Sequence, residues 1–186
     1  LGVLLATYMG GMCLGSLFAP RIIGTGRHPL RVYAFLEGAI GVMGLALLVA
    51  MPLVTRLYTA IGGIGPVGVV MRALVAAICL LPPTFAMGAT LPAIARYVER
   101  SPAGRAWLGL FYAGNLAGAV IGCLGAGFYL LRVFDMHVAT YVAATVNVLV
   151  AGVALWLATA TPGWLTVPAL AVAGAANPVV TLGREP

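Results

Sequence analysis

The ionisable side chains that could do chemistry in this sequence lie inside long apolar stretches. Glu37 stands within one apolar run, and Arg72 stands near the start of another. Burying a charge is expensive, so Glu37 is a candidate proton or cation site and Arg72 a candidate anion contact in a cavity. The structural alternative for Arg72 is extension of its side chain to the water interface. For Glu37, the structural alternative is an ion pair, which we favour, with one of three arginines: Arg21, Arg96 or Arg105.

Neutral polar side chains also lie within apolar runs. The candidates among them are Thr84, Thr90, Asn115 and Asn147. We predict that the two asparagines hydrogen-bond between helices rather than coordinate a ligand. The two threonines stand among three prolines, which are Pro82, Pro83 and Pro92. Each proline removes a backbone N–H donor, so we predict that the hydroxyls satisfy the freed backbone groups. A substrate site framed by the broken helix is the alternative.

No constellation of catalytic type can be read from the sequence. His28 and His137 are placed in loops, and neither a nucleophile–base pair nor a carboxylate pair can be placed in a shared pocket. The sequence also has no glycine-rich nucleotide fingerprint after a strand. Cys13, Cys79 and Cys123 lie in separate apolar runs, without the spacing of a metal site or a disulfide framework. The sequence therefore predicts no active site, cofactor or metal within these residues.

The composition indicates that lipid surrounds these residues. The 186 residues are 62% hydrophobic and 8% charged, with a mean hydropathy of +1.09, whereas about 25% of the residues in soluble domains are charged. The net charge of +6 comes from ten arginines against four acids, without any lysine. The arginines fall between apolar runs instead of forming a stripe, so nucleic acid is not the predicted partner. We predict an all-α integral membrane protein, a bundle of helices in the bilayer.

Five apolar runs are long enough to cross a bilayer, which takes about 20 helical residues. They are residues 1–19, 32–54, 67–97, 107–131 and 138–160. The third would be about 46 Å long as a helix, so it must tilt, protrude or kink at its prolines. Residues 161–186 are predicted to form an interfacial segment, or a linker to a downstream part missing from this chain.

The arginines predict which side of the membrane each loop faces. Three arginines lie in or beside the loop at residues 20–31, three lie in or beside the loop at 98–106, and the two other loops hold one each. The positive-inside rule places those two loops in the cytoplasm, with Leu1 outside and the end of the fifth span inside. Aromatic residues near the predicted span ends suit an interfacial belt. They are Tyr58, Tyr97, Trp107, Tyr129 and Trp164.

Small residues recur at helix-packing spacing in two spans. The first span carries Gly11 and Gly15, and the fourth carries Gly114, Gly118 and Gly122. Residues four apart share one helix face, and small side chains there let two helix backbones approach closely. The spacing predicts contacts with other membrane helices or subunits.

The loop after the first span resembles a signature loop of the major facilitator superfamily. In that family the loop follows the second helix of a transporter half and reads G-x-L-x-D-R-x-G-R. The matching positions here are Gly15, Leu17 and Arg21. Pro20 stands at the acidic position, and the later Gly-Arg pair is displaced to residues 26–27. The resemblance implies that the five spans correspond to helices two to six of a six-helix half.

A longer resemblance covers residues 10–160. It is carried by GGMCLGS at 10–16, RVYAFLEGAIG at 31–41, LPPTFAMGATLP at 81–92 and LFYAGNLAGAVIG at 110–122. Together these look like the membrane domain fused to spermidine synthase-like proteins of bacteria. The resemblance implies a multi-pass protein of the inner membrane with a cytoplasmic aminopropyltransferase-like domain, absent from this chain. That domain would use decarboxylated S-adenosylmethionine and putrescine. A polyamine or another small molecule is the implied ligand.

Three functions stay open at this point. In the first, the chain is the membrane module of a spermidine synthase-like protein, anchoring or serving the enzyme domain. Alternatively, it is half of a transporter, with a midplane site at the broken third span. One acid within the spans is few for a polyamine carrier. The third reading is a non-catalytic structural subunit packed in a larger membrane complex.

Overall fold

The protein is described by a computed structural model that covers residues 2–23, 27–61, 65–98 and 104–161. These residues form helices, without a β-strand in the described ranges. The elements are α1 (Gly2–Ile23), α2 (Pro29–Ile61), α3 (Pro66–Val98), α4 (Gly104–Leu124), a π-helical segment (Gly125–Leu130), α5 (Leu131–Val133) and α6 (Met136–Ala160). The predicted all-α fold class is confirmed.

Five stretches of these helices are long and apolar enough to span a membrane. They are Gly2–Arg21, Pro29–Leu57, Pro66–Val98, Trp107–Val133 and Met136–Ala160. Each overlaps one of the predicted spans, and the fourth runs through α4, the π-helical segment and α5. Helix α2 extends to Ile61, seven residues beyond the predicted end of the second span.

Local sequence explains where three helices begin. Proline is the first residue of both α2 and α3, a position whose N–H would have no partner within the helix. The turn before α3 uses Gly65 at a φ of +130°, a backbone conformation that favours glycine. Helix α6 follows Asp135, whose side chain accepts a hydrogen bond from the Val138 N–H at 2.9 Å. This carboxylate satisfies one of the free donors at the helix start.

Helix α3 continues as one element of 33 residues through its three prolines. The prolines remove the donors for the carbonyls four residues earlier, which are those of Ile78, Cys79 and Gly88. The Thr84 hydroxyl donates instead to the carbonyls of residues 80 and 81 at 2.7 and 3.2 Å. The Thr90 hydroxyl donates to the carbonyl of residue 87 at 2.7 Å. The predicted repair of the proline sites by these hydroxyls is therefore wrong, because a threonine reaches only the carbonyls three or four residues before itself.

Helices α2 and α3 make most of the contacts between helices. Helix α1 packs along α3, and α2 lies against both α3 and α6, whereas α4 touches α3 at few positions. A first cluster of buried residues joins Ala19 and Ile23 of α1 to Ala89 and Ala93 of α3. A second cluster joins Ala34 of α2 to α6 at residues 151 and 154. The buried side chains are mostly alanines, which permit the close helix contacts that hold membrane bundles together.

Large apolar side chains cover the outside of the bundle. Examples with more than two thirds of their surface exposed are Phe35, Val49, Ile78, Ile121 and Phe128. Contiguous apolar surface of this extent is far beyond what soluble monomers expose. The described helices therefore present a surface that suits lipid tails.

Candidate functional site

The contacts of His28 bring three helix ends together. Its Nε2 atom lies 3.2 Å from the Thr161 carbonyl oxygen, just beyond α6, and 3.4 Å from the Thr161 hydroxyl. A carbonyl can only accept, so we assign the proton to Nε2, which donates. The His28 carbonyl accepts from the Arg31 and Val32 N–H groups at the start of α2, and its ring centroid lies 6.3 Å from that of Tyr97 in α3. The start of α2 and the ends of α3 and α6 therefore meet here.

Helix α1 ends at the same place. The Arg96 guanidinium of α3 donates to the Pro20 carbonyl of α1 at 3.2 Å, and the Arg21 guanidinium lies 5.4 Å from the ring centre of Phe18. Because Arg21, Arg31 and Arg96 are gathered here, we call this end of the bundle the arginine end. Cationic side chains near helix C-termini interact favourably with the carbonyls exposed there.

Glu37 lies away from this end and makes no ion pair within the part of the chain that the structure describes. Among the described residues, His137 Nδ1 lies 3.5 Å from the Asp135 carboxylate. This contact is an ion pair when the imidazole is protonated. Arg21 and Arg96 instead meet the aromatic ring and the carbonyl named above, so the predicted pairing of Glu37 with either of them is wrong. Glu37 stands eight residues into α2, about 12 Å along the axis. The Arg105 side chain lies outside the description.

Glu37 follows Tyr33 by one helical turn in α2. Both side chains are half-buried. Tyr33 packs against both buried clusters, so it lies where the α1–α3 pair meets the α2–α6 pair. The sequence interpretation missed Tyr33, although its position four residues before Glu37 puts both on one face of the helix.

The same face of α2 meets Asn147. A Cβ added at Gly41 would lie 3.5 Å from the Cβ of Asn147 and 3.4 Å from the Ala144 carbonyl oxygen of α6. Gly41 follows Glu37 by one turn, so the half-buried Asn147 lies beside α2 about 6 Å along the axis beyond Glu37. We call Tyr33, Glu37 and Asn147 the polar seam.

Gly11 and Gly15 lie where α1 meets α3. A Cβ added at Gly11 would overlap the Thr84 hydroxyl, and one added at Gly15 would overlap the Phe85 carbonyl. From the other side, a Cβ at Gly88 would overlap the Met12 carbonyl. Thr84 is buried here. These residues therefore serve close packing of the two helices.

The other polar candidates lie at or near the surface of the described bundle. Arg72 near the start of α3 and Asn115 in α4 are exposed, and Thr90 is half-buried. Cβ atoms added at Gly114, Gly118 or Gly122 would meet nothing within 4 Å among the described residues. The packing of this glycine stripe against another helix, and the interhelical bond of Asn115, stay predictions.

The opposite end of α6 carries the other histidine. The Val138 N–H bonded to Asp135, with His137 as a smaller contribution, holds the pKa of that carboxyl below its ordinary value. Both Asp135 and His137 are exposed. Across the described residues, no group of three or more His, Cys, Asp or Glu side chains is placed to hold a metal ion, and the three cysteines are free thiols.

His28 is a second described polar residue whose place the sequence interpretation missed. It was placed in a loop, yet its side chain is buried. The available signal was its position directly before Pro29, which marks it as the residue flanking a helix start. Comparison with protein-family models, with curated proteins and with solved structures finds no match for this chain.

Proposed function

We propose that this chain is the membrane module of a spermidine synthase-like protein, which holds a water-soluble aminopropyltransferase-like domain against the cytoplasmic face of the bacterial inner membrane. The activity would be transfer of an aminopropyl group from decarboxylated S-adenosylmethionine to an amine. The residues that carry the chemistry would belong to that domain and not to the helices described here.

The observation that carries the proposal is the position of the end of α6. The His28–Thr161 contact joins this end to the start of α2, and the Arg96–Pro20 contact joins the ends of α1 and α3. A domain attached after α6 would therefore start at the arginine end. Arginine-rich loops mark the cytoplasmic side of membrane proteins, which is where the substrates of such an enzyme occur.

The sequence resemblance supports the same reading. The four matching segments lie within or beside α1 to α4, including the α1–α3 contact at Gly11, Gly15 and Gly88. The Gly11 and Gly15 positions that the resemblance includes are therefore ones where a larger side chain would push two helices apart.

The test is an activity measurement on the full-length gene product. The protein is purified in detergent with its membrane part, and aminopropyl transfer from decarboxylated S-adenosylmethionine to putrescine is followed by mass spectrometry of the product. We expect the transfer, and we expect it to be lost in a variant cut after residue 186. A gene that encodes only further membrane spans after this residue would refute the proposal.

A second candidate is half of a transporter, which the half-buried Glu37 within a membrane-spanning helix favours. Ionisable residues at such positions mark ion and substrate pathways. Uptake of polyamines into vesicles would then depend on Glu37. Unchanged uptake by a Glu37→Gln variant would remove Glu37 from any coupling role.

A further inference from the structure

The α2–α6 contact places a carboxyl group inside the bundle. Ala34 and Gly41, three residues before and four residues after Glu37, both meet α6. Residues at this spacing lie on one face of a helix, so Glu37 lies on or beside the face that packs against α6. The half-buried state of its side chain agrees with this position.

Hydrogen-bonding groups stand on either side of this carboxyl. Tyr33 lies one turn before it on α2, toward the arginine end, and Asn147 of α6 lies beside Gly41, one turn after it. A phenol donates to an ionised carboxylate, and an amide oxygen accepts from a protonated carboxyl. The polar seam therefore offers a donor suited to the ionised carboxylate and an acceptor suited to the protonated carboxyl, each about one helical turn from Glu37.

The other titratable groups lie at other levels of the bundle than Glu37 itself. On α2, the nearest besides Tyr33 is Arg31, six residues before Glu37 at the arginine end. Arg21 of α1 lies at the same end. The described part of α3 contributes Arg96 and Tyr97 at that end, Cys79 in its middle and Arg72 near the other end. On α6 the titratable groups are His137 and Tyr141, both exposed and six or more residues before Asn147. Glu37 thus has no cationic partner at its own level among the described residues.

The seam fits a proton better than a larger cation. A calcium or magnesium ion takes about six or more oxygen ligands, whereas the seam offers one carboxyl, one hydroxyl and one amide. The two helices are already close, because a Cβ at Gly41 would lie only 3.4 Å from the Ala144 carbonyl oxygen. A proton needs no added volume.

We propose that the Glu37 carboxyl is a proton-binding site within the membrane, held between the Tyr33 hydroxyl and the Asn147 amide at the α2–α6 contact. The carboxylate takes one proton from water at the arginine end, and the carboxylic acid returns it; no other bond forms or breaks. Tyr33 lies between that end and Glu37. The site does not depend on whether the chain holds an enzyme domain or carries a solute.

Labelling with the apolar reagent dicyclohexylcarbodiimide tests the site, because it reacts with protonated carboxyl groups in apolar surroundings. Membranes containing the chain are labelled over a range of pH, and the modified residue is located by mass spectrometry. The other three acids, at positions 99, 135 and 185, lie outside the five spans and serve as internal controls. We expect label on Glu37, less of it as the pH rises, and none in Glu37→Gln.

The two neighbours provide a sharper test. In Tyr33→Phe the ionised carboxyl loses a hydrogen-bond donor, so Glu37 should stay protonated to higher pH. Above neutral pH we expect its labelling to be about tenfold faster than in the parent. Asn147→Ala should also change the pH profile, whereas Asn115→Ala on exposed α4 should not. Far-UV circular dichroism and gel filtration identify any variant that has lost its fold.

Several outcomes would overturn the proposal. Absence of label on Glu37 at every pH in the parent protein would by itself overturn it. Protection of Glu37 by sodium or methylammonium ions at constant pH would assign the site to a larger cation instead of a proton. A pH profile unchanged in both Tyr33→Phe and Asn147→Ala would remove the polar seam.

Discussion

The contact between α1 and α3 makes a sharp prediction for Gly15→Ala. The added Cβ would overlap the Phe85 carbonyl oxygen and would lie 2.8 Å from its carbon and 3.1 Å from the Ala89 nitrogen. These are backbone atoms of α3, so relief requires the helices to separate. Forcing an extra carbon into a close-packed contact costs about 1–3 kcal/mol.

Gly10→Ala is the matched control. Gly10 is the fifth residue before Gly15 in the same helix, and a Cβ there would meet no described residue within 4 Å. Both substitutions replace a helical glycine by alanine, which favours the helix by up to ~1 kcal/mol in each case. The difference between the two variants therefore isolates the overlap with α3.

The assay is thermal unfolding of the purified chain in one detergent, followed by far-UV circular dichroism. We expect Gly15→Ala to melt below Gly10→Ala by about 2–12 °C. Gly88→Ala, which meets the Met12 backbone from the opposite side, should behave like Gly15→Ala. Equal melting temperatures for Gly15→Ala and Gly10→Ala would show that α1 and α3 do not make this contact.

Two further predictions concern the ends of α6. His28→Ala leaves the Thr161 carbonyl without its buried donor, so we expect a loss of about 1–3 kcal/mol in unfolding free energy; a loss of equal size in exposed His137→Ala would contradict this assignment. Asp135 has a lowered pKa in the folded chain, so its contribution to stability is present above the ordinary aspartate pKa and is lost as the pH falls through the folded value. Asp135→Ala should therefore melt below the parent at neutral pH, with the gap closing in acid, while Asp135→Asn keeps the helix cap at all pH values. A gap for Asp135→Ala that persists in strong acid would contradict the capping role.

The sequence allowed prediction of the spans more readily than of their contacts. Composition and run length predicted the five spans, because lipid requires apolar side chains and the thickness of the bilayer sets the length of each run. Spacing also predicted that Gly11 and Gly15 meet a helix, but not that the helix is α3. That choice depends on contacts between residues about 70 positions apart, for which local spacing carries no signal.

The candidate site was harder to predict, because it depends on which face each helix turns toward its neighbours. The arginines predicted at the cytoplasmic end of the spans suggested an ion pair for Glu37, yet the described contacts of Arg21 and Arg96 are with Phe18 and Pro20. At a helix end, carbonyl groups compete for a guanidinium, and a residue two turns inside the helix is out of reach. Burial of His28 likewise depends on the end of α6, which is more than 130 residues away in the chain.

We predict that the described helices cross the bilayer with the arginine end on the cytoplasmic side. The direct test uses a variant without native cysteines that carries one cysteine, at Arg27 or at His137. Labelling by a membrane-impermeant maleimide is compared in sealed vesicles of both orientations. The claim predicts that position 27 reacts only from the cytoplasmic face and position 137 only from the opposite face. Reaction of both positions from one face would contradict it.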